Sequence, residues 1–74
     1  NTLVGLSAWF AGNELVLGNI DLDLIKGVNV YNMAGQVVAE TLGGTDINID
    51  TQGVYIVSVQ DIYGNVQQIR VVKF

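Results

Sequence analysis

The sequence of 74 residues predicts an all-β domain, an immunoglobulin-like β-sandwich of about seven short antiparallel strands. Apolar residues alternate with polar ones or form short runs, and they do not recur at helical spacing. Val, Ile and Thr, which favour strands, are abundant. Nine Gly residues break the chain into short segments, a pattern typical of a sandwich or a small barrel. We favour the two-sheet sandwich.

The first third of the chain predicts one hairpin followed by a less regular connection. A strand over residues 3–10 is separated by a Gly-Asn break from a second strand over residues 14–17. Residues 20–24 alternate with period two, so they form either a third strand or a connection. Trp9 and Phe10 are adjacent and point to opposite faces of their strand, so one of the two rings can be exposed.

Two segments with the same pattern, an Asx residue followed by two residues and a Gly, predict hairpin turns. They begin at Asn32 and Asp61 and end at Gly35 and Gly64. The Asx side chain can accept a hydrogen bond from the backbone two residues further on. The Gly accepts the positive φ of a three-residue loop that ends in a bulge.

These turns predict which strands pair. We expect residues 25–31 to pair with residues 36–40, and residues 53–60 to pair with residues 66–73. Between the two hairpins, residues 43–45 form a loop. Residues 46–50 form a short strand with its isoleucines inward, and residues 51–53 turn the chain again.

The centre of the core is predicted at the second hairpin. Tyr55, Val57 and Val59 alternate along one face of their strand. Ile69 and Val71 are the apolar residues placed across from them in the returning strand. We expect these five side chains to pack together.

Composition excludes several classes of partner. Seven acidic and three basic residues give a net charge of −4, which repels nucleic-acid phosphates and anionic lipid surfaces, so we expect no nucleic-acid partner. The apolar runs are far shorter than the ~20 residues of a membrane helix, so we expect no direct membrane insertion. The chain has no Cys and must be stabilised by packing alone. It begins at Asn1, as expected of a fragment of a longer secreted precursor.

Catalytic chemistry is disfavoured as well. The chain has no His and no Cys, which removes the commonest general base, the thiol nucleophile and the usual zinc ligands. Residues 19–23 place oxygen ligands at alternate positions like a calcium loop, but Leu24 and Val30 stand where Gly and Glu are required. The polar residues of 46–50 fit a solvated strand face. We therefore expect no catalytic residue, no cofactor and no metal site.

Two stretches are more specific than sandwich patterning. They read VYNMAGQVV over residues 30–38 and GVYIVSV over residues 53–59, the second continuing through Gly64 to an apolar strand that ends in Lys73 and Phe74. Together they resemble the type A C-terminal sorting domain of the type IX (Por) secretion system of Bacteroidetes. The similarity begins at Val28 and is weaker before it.

The resemblance implies an immunoglobulin-like sandwich that directs an attached N-terminal cargo protein across the outer membrane. The expected partners are that cargo, the outer-membrane translocon and the surface sortase complex that removes the domain. The expected location is the periplasm in transit, then the outer membrane and cell surface, or the medium. Asn1 would lie near the cleavage linker.

The family concentrates its signal in the last strands, so the resemblance also implies site residues. Recognition by the secretion machinery is carried over to Gly53, Tyr55, Gly64, Arg70, Val71, Val72, Lys73 and Phe74. Arg70 stands where a lysine is common and keeps the positive charge. The turn residues are Asn32, Gly35 and Asp61. The apolar run over residues 69–74 could pair with a receptor strand, could simply close the sandwich, or could do both.

Two other functions stay open. One is a surface adhesion or carbohydrate-binding module, because the same sandwich hosts many binding functions. Against it, Tyr55 is predicted to be buried and the other five aromatic residues share no evident face. The other is a structural spacer, which could lie anywhere in a protein, whereas a sorting domain must end the chain. An apolar edge strand could also form a homodimer.

Overall fold

A computed structural model of the chain describes residues 5–42 and 46–74. These residues form two antiparallel sheets, one of two strands and one of four strands in the order β4-β3-β5-β6. The elements are β1 (Ser7–Ala11), β2 (Glu14–Gly18), a 3₁₀ turn (Leu22–Leu24), β3 (Ile25–Asn32), β4 (Val37–Leu42), β5 (Gly53–Asp61) and β6 (Val66–Lys73). The predicted all-β fold class is confirmed. No helix in the described ranges is long and apolar enough to cross a membrane.

The N-terminal hairpin forms as predicted, and the connection after it is a 3₁₀ turn. β1 pairs with β2 in continuous register from Ser7↔Gly18 to Ala11↔Glu14. The predicted start of this strand at residue 3 lies outside the described residues. Over residues 20–24, the Asp21 side chain accepts a hydrogen bond of 3.0 Å from the Asp23 N–H, which favours a tight turn over an extended strand.

The two hairpins of the larger sheet match the predicted pairing, with ends moved by one or two residues. β3 pairs with β4, with a bulge between Val30 and Tyr31, and β5 pairs with β6 without interruption. β3 also pairs with β5, which joins the two hairpins into one sheet. The sequence did not predict that third pairing. The predicted loop over residues 43–45 lies outside the described residues.

The core lies between the four-stranded sheet and the elements that cover one of its faces. Those elements are the β1–β2 hairpin and the segment over residues 46–50. The buried apolar side chains are Leu15, Ile25, Val28, Val30, Ile47, Ile49, Tyr55, Val57, Val59 and Val71. Four of the five predicted central residues are among them, and the fifth, Ile69, is partly buried against the cluster.

The covering segment is held to the first hairpin by its backbone. Leu15 donates its N–H to the Ile47 carbonyl at 3.0 Å, and the Ile49 N–H donates to the Asn13 carbonyl at 2.8 Å. The predicted short strand over residues 46–50 is therefore a single β-bridge, with its two isoleucines inward as expected. Trp9 and Phe10 also divide as expected. Trp9 is 47% exposed, whereas Phe10 packs against the core.

The packing predicts unequal effects for the same substitution at two valines. Val57 is fully buried at the centre of the sheet, so Val57→Ala should lower the free energy of unfolding by about 2 kcal/mol, through lost burial and a residual cavity. Val72 is 42% exposed, and Val72→Ala should change it by no more than about 0.5 kcal/mol. Urea unfolding followed by tryptophan fluorescence measures both. Equal losses would contradict the described core.

Candidate recognition surface: the β5–β6 hairpin

The turn between β5 and β6 is organised by a buried carboxylate. Asp61 is fully buried, and its Oδ1 accepts hydrogen bonds from the N–H groups of Tyr63 at 2.9 Å and Asn65 at 2.8 Å. Its Oδ2 accepts one from Asn65 Nδ2 at 2.8 Å. Hydrogen bonds to a charged group are worth more than neutral ones, so this carboxylate fixes the turn.

The same turn is attached to the rest of the sheet. The Ile62 N–H donates to the Leu24 carbonyl at 2.9 Å, which links the loop to the 3₁₀ turn before β3. Gly64 has a φ of 89°, a conformation that residues with a side chain rarely adopt. The sequence predicted Asp61 and Gly64 as turn residues. It did not predict the burial of Asp61, because the Asx-x-x-Gly pattern specifies the turn and not its surroundings.

The β3–β4 turn has the same hydrogen bonds in an exposed setting. Asn32 Oδ1 accepts from the N–H groups of Ala34 and Gln36, each at 3.0 Å, and Gly35 has a φ of 83°. The Asn32 N–H bonds to the Gln36 carbonyl, as the Asp61 N–H bonds to the Asn65 carbonyl. Both predicted turns are confirmed, and each side chain makes a second backbone bond that was not predicted.

Two of the predicted recognition residues at the start of β5 have structural roles. Gly53 has a φ of 154°, which disfavours any side chain there. Tyr55 is buried, donates its hydroxyl to the Thr51 carbonyl at 2.6 Å, and packs edge-to-face on Phe10 with 5.9 Å between ring centroids. Tyr55 therefore anchors the segment that enters β5 and offers little surface to a partner.

Strand β6 divides the remaining predicted residues between its two faces. Val71 and Lys73 point into the fold and are buried, and Lys73 pairs with Gly53 across the ladder. Arg70, Val72 and Phe74 are exposed, Phe74 at 93%. The exposed set shares one face because side chains alternate along a strand.

The exposed face of the larger sheet carries a row of apolar side chains next to Arg70. Across the four strands, the row runs Val37, Tyr31, Ile56 and Arg70, each residue paired with the next. Tyr31 and Ile56 are half-buried, and Val37 is 52% exposed. Arg70 therefore lies next to an apolar strip on the face of the sheet opposite the β1–β2 hairpin, where Tyr31 and Ile56 also line a shallow pocket with Met33 and Gln68.

β6 is an edge strand with unused hydrogen-bonding groups. The Asp61–Asn65 bond fixes which pairs exchange backbone bonds, because such pairs alternate along an antiparallel ladder. Counting from it, the odd-numbered residues 67–73 bond to β5. Val66, Gln68, Arg70 and Val72 direct their backbone N–H and C=O groups away from β5, where no strand of the described ranges forms a ladder with β6, although β1 contacts it.

A groove near this hairpin could not be predicted from the sequence. An open groove of about 540 Å³ lies between the Asn32 turn and the segment that enters β5, lined in part by Met33, Asp50 and Gln52. It forms where two segments distant in sequence come together, and such a juxtaposition cannot be inferred from periodicity.

The described residues do not assemble a sugar platform or a metal cluster. All six aromatic residues are described, and their one ring contact is the Phe10–Tyr55 pair at the core. Trp9, Tyr63 and Phe74 are exposed on separate elements. No group of three potential carboxylate, His or Cys ligands comes together within residues 5–42 and 46–74.

Comparison with known families and proteins does not identify a function for this chain. No protein-family model and no curated protein matches the chain. The resemblance to type IX sorting domains therefore depends on the two motif stretches quoted above, which form the β3–β4 and β5–β6 hairpins.

The buried carboxylate should contribute far more to stability than its exposed counterpart. Asp61→Ala leaves three donors without their acceptor and should lower the free energy of unfolding by about 3 kcal/mol. Asn32→Ala removes the matching bonds in a solvated turn and should cost about 1 kcal/mol or less. Urea unfolding at neutral pH gives both values, and equal losses would contradict the anchoring role of Asp61.

Proposed function

We propose that this chain is a C-terminal signal domain that directs an attached cargo protein across the outer membrane by the type IX secretion system. One observation carries the proposal. The two stretches that resemble the family form the two hairpins of a single sheet, and the strand that ends the second hairpin lies at the sheet edge. An edge strand offers both its backbone and its side chains to a receptor.

The exposed and buried faces of β6 indicate which residues a receptor would contact. Arg70, Val72 and Phe74 are exposed and would contact the receptor. The other five predicted residues maintain the hairpin: Gly53, Tyr55, Gly64, Val71 and Lys73. Both sets are required, because the exposed side chains lie in one row only while the strand keeps its register. The receptor would thus recognise a folded hairpin.

In this function the domain is a sorting signal and has no catalytic activity of its own. Its partners would be the outer-membrane translocon, the surface sortase complex and the N-terminal cargo. It would pass through the periplasm to the cell surface or the medium. These assignments follow from the family resemblance, and the fold is compatible with them.

A glycan-binding module is the second candidate, and the open groove beside Asn32 favours it. Amide and carboxylate side chains such as Asn48, Asp50 and Gln52 line the groove, and groups of this kind hydrogen-bond sugar hydroxyls. The scattered exposed rings weigh against it, since a sugar usually stacks on an aromatic platform.

Fusion of residues 1–74 to the C-terminus of a periplasmic reporter tests the proposal in a bacterium with a working type IX system. We expect the reporter at the surface or in the medium of the competent strain, and in the periplasm of its translocon mutant. The variant Arg70→Glu should reduce the exported fraction several-fold, because the reversed charge lies on the exposed face of β6.

Lys26→Glu is the matched control, since it makes the same charge reversal at an exposed residue of β3. It should leave export unchanged. Retention of the folded fusion in the periplasm of both strains would contradict the sorting function. Glycan-array binding by the isolated domain, lost on Asp50→Ala, would then support the second candidate.

A further inference from the structure

We propose that β6 binds an extended, acidic segment of a partner protein, which adds to the sheet as a fifth strand next to β6. The inference rests on the proposed function in that it supplies the contact by which the hairpin is recognised. It names the chemistry of the partner, which the resemblance leaves open.

The edge at β6 has fewer of the usual devices that prevent strand addition than the opposite edge, and its inward-pointing charge, Lys73, lies at the last residue of the strand. Edge strands are normally protected by bulges, Pro, short length or charges that point inward along the edge. β6 pairs with β5 over eight residues in unbroken register and contains no Pro. The opposite edge, β4, has six residues, a bulge and an acidic side chain at Glu40. Among the described residues, β6 is therefore the edge with the longer regular ladder for pairing.

The residues of β6 whose backbone groups are unused are the same residues whose side chains are exposed. Gln68, Arg70 and Val72 direct N–H and C=O groups to the free edge, and their side chains lie on the uncovered face. An added strand would bond to these groups. On the uncovered face, it would place one side chain beside Arg70 and another beside Val72.

Charge selects the occupant. The exposed charged side chain of β6 is Arg70, and the strand has no acidic residue, although the whole chain has a net charge of −4. A carboxylate on the added strand would pair with Arg70, which borders an apolar strip formed by Ile56 and Tyr31. A second copy of β6 would bring like charges together, which disfavours self-pairing.

Peptide binding tests the inference with the isolated domain. The probe is the blocked heptapeptide TVEVEVT, and the matched control is TVKVKVT. We expect TVEVEVT to bind at least about tenfold more tightly by fluorescence anisotropy, since opposite charges across strands attract and like charges repel. Binding should slow hydrogen exchange at the N–H groups of Gln68, Arg70 and Val72. Those of Ile69 and Val71 already bond to β5 and should change little.

Three variants separate strand addition from general charge attraction. Arg70→Glu should reverse the preference between the two peptides, whereas Lys26→Glu, an equal charge change on β3, should leave the preference intact. Gln68→Pro removes one N–H at the free edge without removing a bond to β5, and it should abolish binding while the domain stays folded by circular dichroism.

Three results would overturn the inference. The first is equal affinity of the domain for both peptides, or no binding of either peptide. The second is protection spread over the whole domain instead of the edge N–H groups. The third is protection of those same groups without peptide, together with a dimer mass in sedimentation, which would identify a second copy as the occupant. Export of the reporter fusion by a domain that fails these tests would leave the sorting function standing. Peptide binding by a domain that does not direct export would support strand addition at β6 and contradict the sorting function.

Discussion

β5 is the strand on which the rest of the structure depends, because it forms backbone hydrogen bonds with β3 on one side and β6 on the other. Its alternate side chains Tyr55, Val57, Val59 and Asp61 are all buried. A shift of one residue would place these four in water and expose the core, so the burial of one face fixes the register of both neighbouring strands. The polar member of the set, Asp61, is satisfied within its own turn and ends the strand at the right residue.

Local features of this fold could be predicted from the sequence, whereas its long-range features could not. The turns at Asn32 and Asp61 follow from side-chain chemistry within a few residues, and the inward face of β5 follows from period-two alternation. The pairing of β3 with β5 and the groove beside Asn32 join distant segments, and periodicity carries no information about partners. Residues 20–24 show a further limit. Their alternation fits a strand, but the short Asp21 side chain bonds to the backbone and favours a turn.

The candidate site was predicted as a set of residue numbers, and the structure separates that set by role. Val71 and Lys73 alternate with Arg70 and Val72, so neighbours in the sequence face opposite sides of the sheet. Sequence motifs do not distinguish a residue that keeps a strand in place from one that contacts a partner. Burial distinguishes the two roles. Tyr55 and Val71 are buried and hold the hairpin against the core, whereas Arg70 and Phe74 are exposed to solvent.

The three hairpins give the fold a simple order of assembly. β1–β2, β3–β4 and β5–β6 each close over a short loop, so their ladders form between residues close in sequence and at low entropic cost. Only the β3–β5 ladder brings distant segments into one sheet. Closing the long loop between β3 and β5 costs more chain entropy than closing any of the three hairpins, so we expect the hairpins to form before the sheet is completed.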